Sequence, residues 1–174
     1  MNENTLPDSI KKVDMVNHPP HYMHHPSGVE CIDLAELLPY NTGCMFKYLY
    51  RRGHKDDMLQ DLKKAHWYAH RELSVYRTLA SLESKNAQCP SPYLRYTHKP
   101  RNIQAINDLL ENEPDSTLLR VYMLLFQKLN RDCFRERIST LEEIMNYIFQ
   151  LIFQMKNDTH GEYISTNVST NEKE

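Results

Sequence analysis

The sequence has few of the residues that turn-rich or cross-linked folds require. It contains four glycines in 174 residues, and its four cysteines are far apart and form no CxxC pair. The scarcity of glycine argues against a turn-rich β architecture, and the cysteine spacing argues against a paired-cysteine zinc site. We expect the cysteines to be free thiols of a reducing compartment.

The chain also lacks a long apolar run and a signal-peptide pattern, so we expect neither a membrane span nor secretion. It has no GxxxxGK[ST] phosphate loop and no GxSxG nucleophile motif. With 21 basic and 23 acidic residues the formal net charge is −2, and we do not expect binding of extended nucleic acid. Any phosphate site must therefore come from local clustering of charge.

Apolar residues that recur at three- and four-residue steps predict an all-α fold. We expect a small helical bundle with a proline-rich N-terminal segment and a helical C-terminal extension. The first helix would place Ile32, Ala35 or Leu34, and Leu38 on one face. Asp56 or Asp57 would cap the third helix, and a capping box of Ser139 and Glu142 would open the last. The apolar face of the third helix would contain Leu62, Ala65, Ala69, Leu73 and Tyr76. The predicted helices span residues 29–38, 42–52, 57–84, 102–111, 116–130 and 140–156.

Composition divides the chain into five parts. Residues 16–85 and 102–157 are the two helical segments, and the prolines between Cys89 and Pro100 mark a linker at 86–101. The polar ends predict a mobile arm at 1–15 and a disordered tail at 158–174.

The strongest local feature is the sequence KYLYRRGHK at residues 47–55. On a helix, Lys47 and Arg51 are i, i+4 neighbours, and Lys55 follows at the turn. Cations with Tyr48 among them suit a phosphate carried on a flat base. A solvated basic face whose long side chains cover apolar neighbours is the alternative interpretation.

A second feature is HPPHY, where His18 and His21 flank a rigid diproline ahead of Tyr22. Imidazoles titrate near neutral pH and suit acid–base or anion-binding work. The segment could equally be a proline-rich turn packed on the helices.

The third feature is DLKKAHWY at residues 61–68. We expect Asp61 to form an ion pair with Lys47 or Arg51, in preference to holding magnesium together with Asp57.

Two other site types receive weaker support. His66 and His70 have the i, i+4 spacing of a zinc pair, but no second ligand pair of suitable spacing follows. A cysteine–histidine nucleophile at Cys31 or Cys44 is disfavoured, because cysteines on helices are usually buried and inert.

Taken in order, VNHPPHY, GVECID, KYLYR with GHK, and DLKKAHWY resemble the motifs of a family of small bacteriophage proteins, the DUF3310 family. One branch of that family, from T7-like phages, is similar to a deoxynucleoside monophosphate kinase without a Walker motif. The chain has Gly43-Cys44 where the family has Gly-Asn. The matching positions are His18, Pro19, His21, Tyr22, Glu30, Ile32, Asp33, Lys47, Tyr48, Leu49, Arg51, Lys55, Asp61, Leu62, Lys64, Ala65 and Tyr68.

The resemblance implies a phage-encoded, nucleotide-binding protein in the cytoplasm of an infected bacterium, acting like a nucleoside monophosphate kinase on deoxynucleotides. Such a kinase would use ATP and Mg²⁺, and no protein ligand for a metal is assigned. Phosphoryl transfer needs mainly positioning and charge neutralisation. The implied catalytic residues are Lys47, Arg51 and His21. The implied substrate-binding residues are His18, Tyr22, Tyr48, Lys55, Asp33 and Asp61.

Two alternatives stay open. The first is a non-catalytic helical phage protein that binds nucleotides or a host protein, with the second half as its interaction surface. The second is an all-α nucleotide pyrophosphohydrolase, which would need a larger carboxylate set than the ExxD of Glu30 and Asp33.

The last predicted helix is apolar over most of its circumference. Phe149 and Phe153 widen the stripe that contains Ile144, Ile148 and Ile152. We therefore expect a homo-oligomer formed through this helix. A central position in the bundle is the alternative.

Overall fold

The computed structural model describes residues 14–55, 57–82, 100–129 and 133–168. Within these ranges the chain forms helices and no strand, which confirms the all-α prediction. A 3₁₀ turn at Pro20–Tyr22 precedes the α-helices. These are α1 (Cys31–Ala35), α2 (Tyr40–Tyr50), α3 (Met58–Leu82), α4 (Pro100–Asn112), α5 (Ser116–Met123) and α6 (Phe134–Val168).

Helix α3 is the central element of the first half, and its buried face is the predicted one. Asp57 caps its first turn, since Asp57 Oδ2 accepts a hydrogen bond of 3.0 Å from the Gln60 amide. Asp56 lies outside the described residues. The side chains expected in the core are all buried, namely Leu62, Ala65, Ala69, Leu73 and Tyr76.

Both halves of the chain contribute to a single core. Helix α3 packs against α2 on one side and α6 on the other, and α1 packs against α4. The ring of Phe46 on α2 lies 5.4 Å from the ring of Tyr122 on α5 and 5.5 Å from that of Phe126. Most of the predicted linker lies outside the described residues, and α4 already begins at Pro100.

The predicted face of the first helix is wrong. Ile32 is 62% exposed, whereas Cys31, Leu34 and Leu37 are buried. A buried cysteine behaves as a small apolar residue, so the three-residue step from Cys31 defines the core face.

The last helix begins six residues earlier than predicted, at Phe134, so Ser139 and Glu142 lie within it and form no capping box. Arg137 explains the error, because it occupies a core position and is 1% exposed. Its guanidinium carbon lies 5.7 Å from the ring centre of Tyr76 and 5.6 Å from that of Phe134. A cation at this position conceals the apolar period in the sequence.

The remaining differences concern helix ends. After α5 the backbone continues as a π-helical segment at Leu124–Lys128, where the sequence predicted an uninterrupted helix to residue 130. Helix α6 extends to Val168, into the part predicted to be disordered, because adding residues to an existing helix is far easier than nucleating one. None of the helices in the described ranges combines the length and apolar character needed to cross a membrane.

Helix α2 approaches α1 closely at Gly43. A Cβ atom at this position would lie 2.8 Å from the carbonyl oxygen of Ala35, which is too close for backbone atoms that cannot swing aside. Glycine at position 43 therefore permits the contact that holds α1 against α2.

We expect Gly43→Ala to lower the free energy of unfolding by about 1–3 kcal/mol, as overpacking of a close contact does, despite the better helix propensity of alanine. Urea denaturation followed by circular dichroism measures the change. Cys44→Ala, which removes a half-buried thiol without adding bulk, is the neighbouring control. A Gly43→Ala protein as stable as the wild type would contradict the close packing.

Candidate functional site

A buried ion pair joins the end of α2 to the start of α3. Arg51 Nη2 lies 3.0 Å from Asp61 Oδ1, with side-chain exposures of 6% and 0%. Arg51 Nη1 also donates a hydrogen bond of 3.3 Å to the hydroxyl of Tyr22. The ion pair expected of Asp61 is thus present, and Arg51 links α2, α3 and the N-terminal segment.

The ring of Tyr48 lies among three cations. Lys47 Nζ, the Arg51 guanidinium carbon and Lys64 Nζ lie 4.9, 4.7 and 5.4 Å from its centre. The ring of Tyr68 stacks on it at 5.7 Å with an interplanar angle of 20°. The predicted cluster of Lys47, Tyr48 and Arg51 is therefore brought together, and its aromatic ring is already engaged by side chains of the protein.

A carboxylate orients the first histidine of the HPPHY segment. His18 Nδ1 lies 2.9 Å from Glu30 Oε1, with side-chain exposures of 57% and 24%. An imidazole whose Nδ1 donates to a carboxylate has a fixed ring orientation and presents Nε2 as its second polar atom. Asp14 orders the chain just before it, since its Oδ1 accepts hydrogen bonds from the amides of Val16 and Asn17.

A cavity of about 240 Å³ lies between the N-terminal segment, α1 and α2. Lys47 supplies an ammonium group to its wall and Tyr22 an aromatic ring, while His18 stands between the two lining residues Asn17 and Pro19. The cavity is formed by Val16, Asn17, Pro19, Tyr22, Glu30, Cys31, Ile32, Ala35 and Lys47.

Asp33 faces a different part of the molecule. It lines a larger cavity of about 830 Å³ between α1 and α4, and its Oδ1 lies 3.3 Å from Arg101 Nη2. Glu36 and Asp108 are also in that wall. Asp33 is the one residue of the predicted site that lines the larger cavity, whereas Tyr22 and Lys47 both line the smaller one. We therefore place the candidate site at the smaller cavity.

The other two residues of the predicted site lie at the edges of this arrangement. His21 is half-buried, with its ring centre 4.2 Å from that of Tyr22. Lys55 is exposed in the turn that follows α2, after Gly53, whose φ of 73° favours glycine. Neither residue is part of the cavity wall.

Two further histidines, to which the sequence analysis gave no role, hold the N-terminal segment against the rest of the protein. The His24 ring stacks on that of His54 with centres 3.4 Å apart, and burial together with the nearby His54 lowers the pKa of His24 to about 4. His25 Nε2 lies 3.2 Å from Glu113 Oε2, and both side chains are buried. His24 is therefore neutral near pH 7 and is not a cation for a phosphate.

The weaker site types gain no support from the geometry. Burial raises the pKa of the Cys31 thiol to about 12, so it is not a thiolate nucleophile near neutral pH. Asp57 serves as the cap of α3. Within the described ranges, no three His, Cys, Asp or Glu side chains, His66 and His70 included, form a group that could hold a metal ion.

Sequence reasoning did not assign roles to Glu30 and Lys64. Glu30 orients His18, and Lys64 is the third cation near Tyr48. Glu30 lies in the motif GVECID and Lys64 in the motif DLKKAHWY, which was the only indication of their importance in the sequence. Their partners could not be predicted, because those depend on tertiary contacts.

We expect Arg51→Ala to lower the free energy of unfolding by about 3–5 kcal/mol, because Asp61 would stay buried without its counter-charge. Arg52→Ala is the matched control. Its pair with Asp115 is partly exposed, so the loss should be about 1 kcal/mol or less. The double variant Arg51→Met, Asp61→Leu should regain most of the loss. Urea denaturation measures the free energy of unfolding of each variant. Equal losses of stability in Arg51→Ala and Arg52→Ala would contradict a buried ion pair at Arg51.

A model of a known protein family matches part of the chain. The family model of DUF3310, described as a protein of unknown function, matches residues 16–70, about a third of the chain. No curated protein and no solved structure matches the chain significantly. The matched segment contains the cavity, the buried ion pair and the cation cluster described above. Residues 16–70 thus match the family that the motifs of the sequence resemble.

Proposed function

We propose that residues 16–70 bind a nucleotide, with its phosphate held at the rim of the smaller cavity. The observation that carries the proposal is that Lys47, Tyr22 and Glu30 line one cavity, and that Glu30 orients His18, which follows the lining residue Asn17. An ammonium group and an oriented imidazole are suitable partners for phosphate oxygens. The apolar side chains of Val16, Pro19 and Ile32 supply a surface for the base and sugar.

The size of the cavity favours a small ligand. Its volume of about 240 Å³ is below the range of roughly 300–1,000 Å³ usual for drug-sized ligands. A mononucleotide with its phosphate at the rim fits this volume better than a dinucleotide cofactor does. In this proposal Arg51 positions Tyr22 and does not touch the phosphate, because its guanidinium is buried against Asp61.

The family resemblance extends the proposal to catalysis. The reaction would be phosphoryl transfer from ATP to a deoxynucleoside monophosphate, with Lys47 neutralising charge and His21 near the substrate beside Tyr22. Magnesium would be held chiefly by the nucleotide phosphates, as Mg²⁺ commonly is. A phage origin and the cytoplasm of an infected bacterium belong to the same proposal.

A non-catalytic nucleotide- or host-protein-binding role is the second candidate. Two observations favour it. The residue after Gly43 is a half-buried cysteine in place of the asparagine that the resemblance implies, and the arginine of the KYLYR motif is engaged within the protein.

We expect Lys47→Ala to weaken the binding of deoxynucleoside monophosphates by roughly tenfold or more, because a lost charged hydrogen bond is worth about 1.5–3 kcal/mol. Isothermal titration calorimetry with the four common deoxynucleotides measures the affinity. Lys128→Ala, which removes an exposed lysine far along the chain, is the control. Lys55→Ala tests the other lysine of the motif.

Unchanged affinity in the Lys47→Ala protein would contradict the site. Incubation of the wild type with each deoxynucleotide, ATP and Mg²⁺, followed by chromatography, then separates the two candidates. Diphosphate product that depends on Lys47 supports the kinase, and tight binding without product supports the non-catalytic role.

We also propose that the chain self-associates through α6. Ile144, Ile148 and Ile152 are buried within the protomer, but Phe149 and Phe153, one turn apart, are 60% and 56% exposed. Aromatic side chains of this kind are enriched in the cores of interfaces, and a second copy with closed symmetry is the simplest partner.

We expect Phe149→Glu combined with Phe153→Glu to convert an oligomer into a monomer. Light scattering at micromolar concentration measures the mass. The control is Gln150→Glu combined with Gln154→Glu, which adds the same charge at neighbouring exposed positions of α6. A wild-type monomer, or an oligomer that survives the phenylalanine substitutions, would contradict this interface.

A further inference from the structure

A second surface, outside the cavity, carries exposed aromatic rings. Trp67 is 54% exposed and Tyr40 is 76% exposed. They are joined through Tyr68, whose ring centre lies 4.9 Å from that of Trp67 and 6.3 Å from that of Tyr40. The ring of Tyr48 also contacts that of Tyr68, with ring centres 5.7 Å apart. We call Tyr40, Tyr48, Trp67 and Tyr68 the aromatic row.

Cations accompany the aromatic row. The Arg71 guanidinium carbon lies 5.5 Å from the Trp67 ring centre, and Lys64 Nζ lies 5.4 Å from that of Tyr48. Lys63 is exposed on the same two turns of α3. A guanidinium beside a solvent-facing indole is an arrangement that binds a base and a phosphate together.

The two segments that form this surface contain no carboxylate. Residues 37–55 and 62–71 hold seven lysines and arginines and no aspartate or glutamate, in a chain whose net charge is −2. The carboxylates that bracket the α3 segment are both buried and engaged, Asp61 with Arg51 and Glu72 with Asn41. The exposed carboxylates of Glu36 and Asp57 lie just outside the segment 37–55, and the charge within the two segments is cationic.

From these observations we infer that the aromatic row binds a short stretch of single-stranded nucleic acid. Successive bases would stack on the exposed faces of Trp67 and Tyr40, and the phosphates would lie along Lys63, Lys64 and Arg71. The lack of carboxylates favours a polyanion over an apolar peptide, and the exposed large side chains of these segments are aromatic. The inference revises the expectation drawn from net charge, and it does not depend on nucleotide binding in the cavity.

The protein contains its own reporter, because Trp67 is its only tryptophan. We expect a 15-nucleotide oligothymidylate to quench Trp67 fluorescence saturably. With about three phosphates neutralised, the affinity should fall roughly tenfold or more between 50 and 200 mM salt. A duplex of the same length should bind more weakly, since its bases are not free to stack.

Variants that leave Trp67 in place test the surface. Tyr40→Ala and Arg71→Ala should each weaken binding about fivefold or more, and both side chains are exposed, so thermal unfolding should be unchanged. Met123→Ala and Lys128→Ala are the controls, since they remove an exposed apolar side chain and an exposed cation on α5 and the π-helical segment, outside both proposed binding surfaces and the proposed interface. Anisotropy of a fluorescein-labelled oligonucleotide extends the test to Trp67→Ala.

The outcomes are separable from those for the cavity. Lys47→Ala should weaken mononucleotide binding roughly tenfold or more, whereas Arg71→Ala should reduce only oligonucleotide binding. The inference is overturned if oligothymidylate leaves both fluorescence and anisotropy unchanged, if duplex binds as tightly as the single strand, or if Tyr40→Ala and Arg71→Ala bind like the controls. Binding of an apolar peptide to the row in place of the oligonucleotide would also overturn it.

Discussion

The buried pair of Arg51 and Asp61 determines how α2 meets α3, and the candidate site depends on that junction. Three segments meet at one guanidinium, because Arg51 also donates to Tyr22. Desolvation offsets much of the attraction in such a pair, but loss of one partner leaves a buried charge. We infer that the main role of the pair is to fix how the three segments pack together, and that its contribution to net stability is small. Lys47, one helical turn before Arg51, reaches the cavity wall from this fixed arrangement.

Charge segregation allows a slightly acidic chain to present cationic surfaces. The net charge of −2 is the sum over segments of opposite charge. The carboxylates nearest the site each interact with a basic side chain of the protein. Glu30 orients His18, and Asp61 neutralises Arg51. Lys47 lies between the two proposed binding surfaces, since it lines the cavity and contacts the ring of Tyr48. The positions of the charged side chains therefore predict anion binding better than the net charge of the chain does.

Periodicity was sufficient to predict the all-α class and the core face of α3, where apolar residues recur without interruption. It failed where a residue type was misleading. Arg137 fills a core position and conceals the start of α6, and Ile32 is exposed although apolar. The pairing of Asp61 with Arg51 was among the pairings predicted from the sequence, but the arrangement of the other predicted site residues was not. Burial of Arg51 and the position of Asp33 in another cavity depend on contacts between segments distant in sequence.

The most direct test of nucleotide binding at the smaller cavity is to map the ligand on the protein. Amide chemical shifts of the ¹⁵N-labelled chain, followed during titration with deoxythymidine monophosphate, report which residues respond. The predicted result is saturable changes concentrated in residues 16–35 and around Lys47, which require roughly tenfold or more nucleotide in Lys47→Ala. Changes confined to α4, α5 or α6, or no change at millimolar nucleotide, would contradict the proposed site.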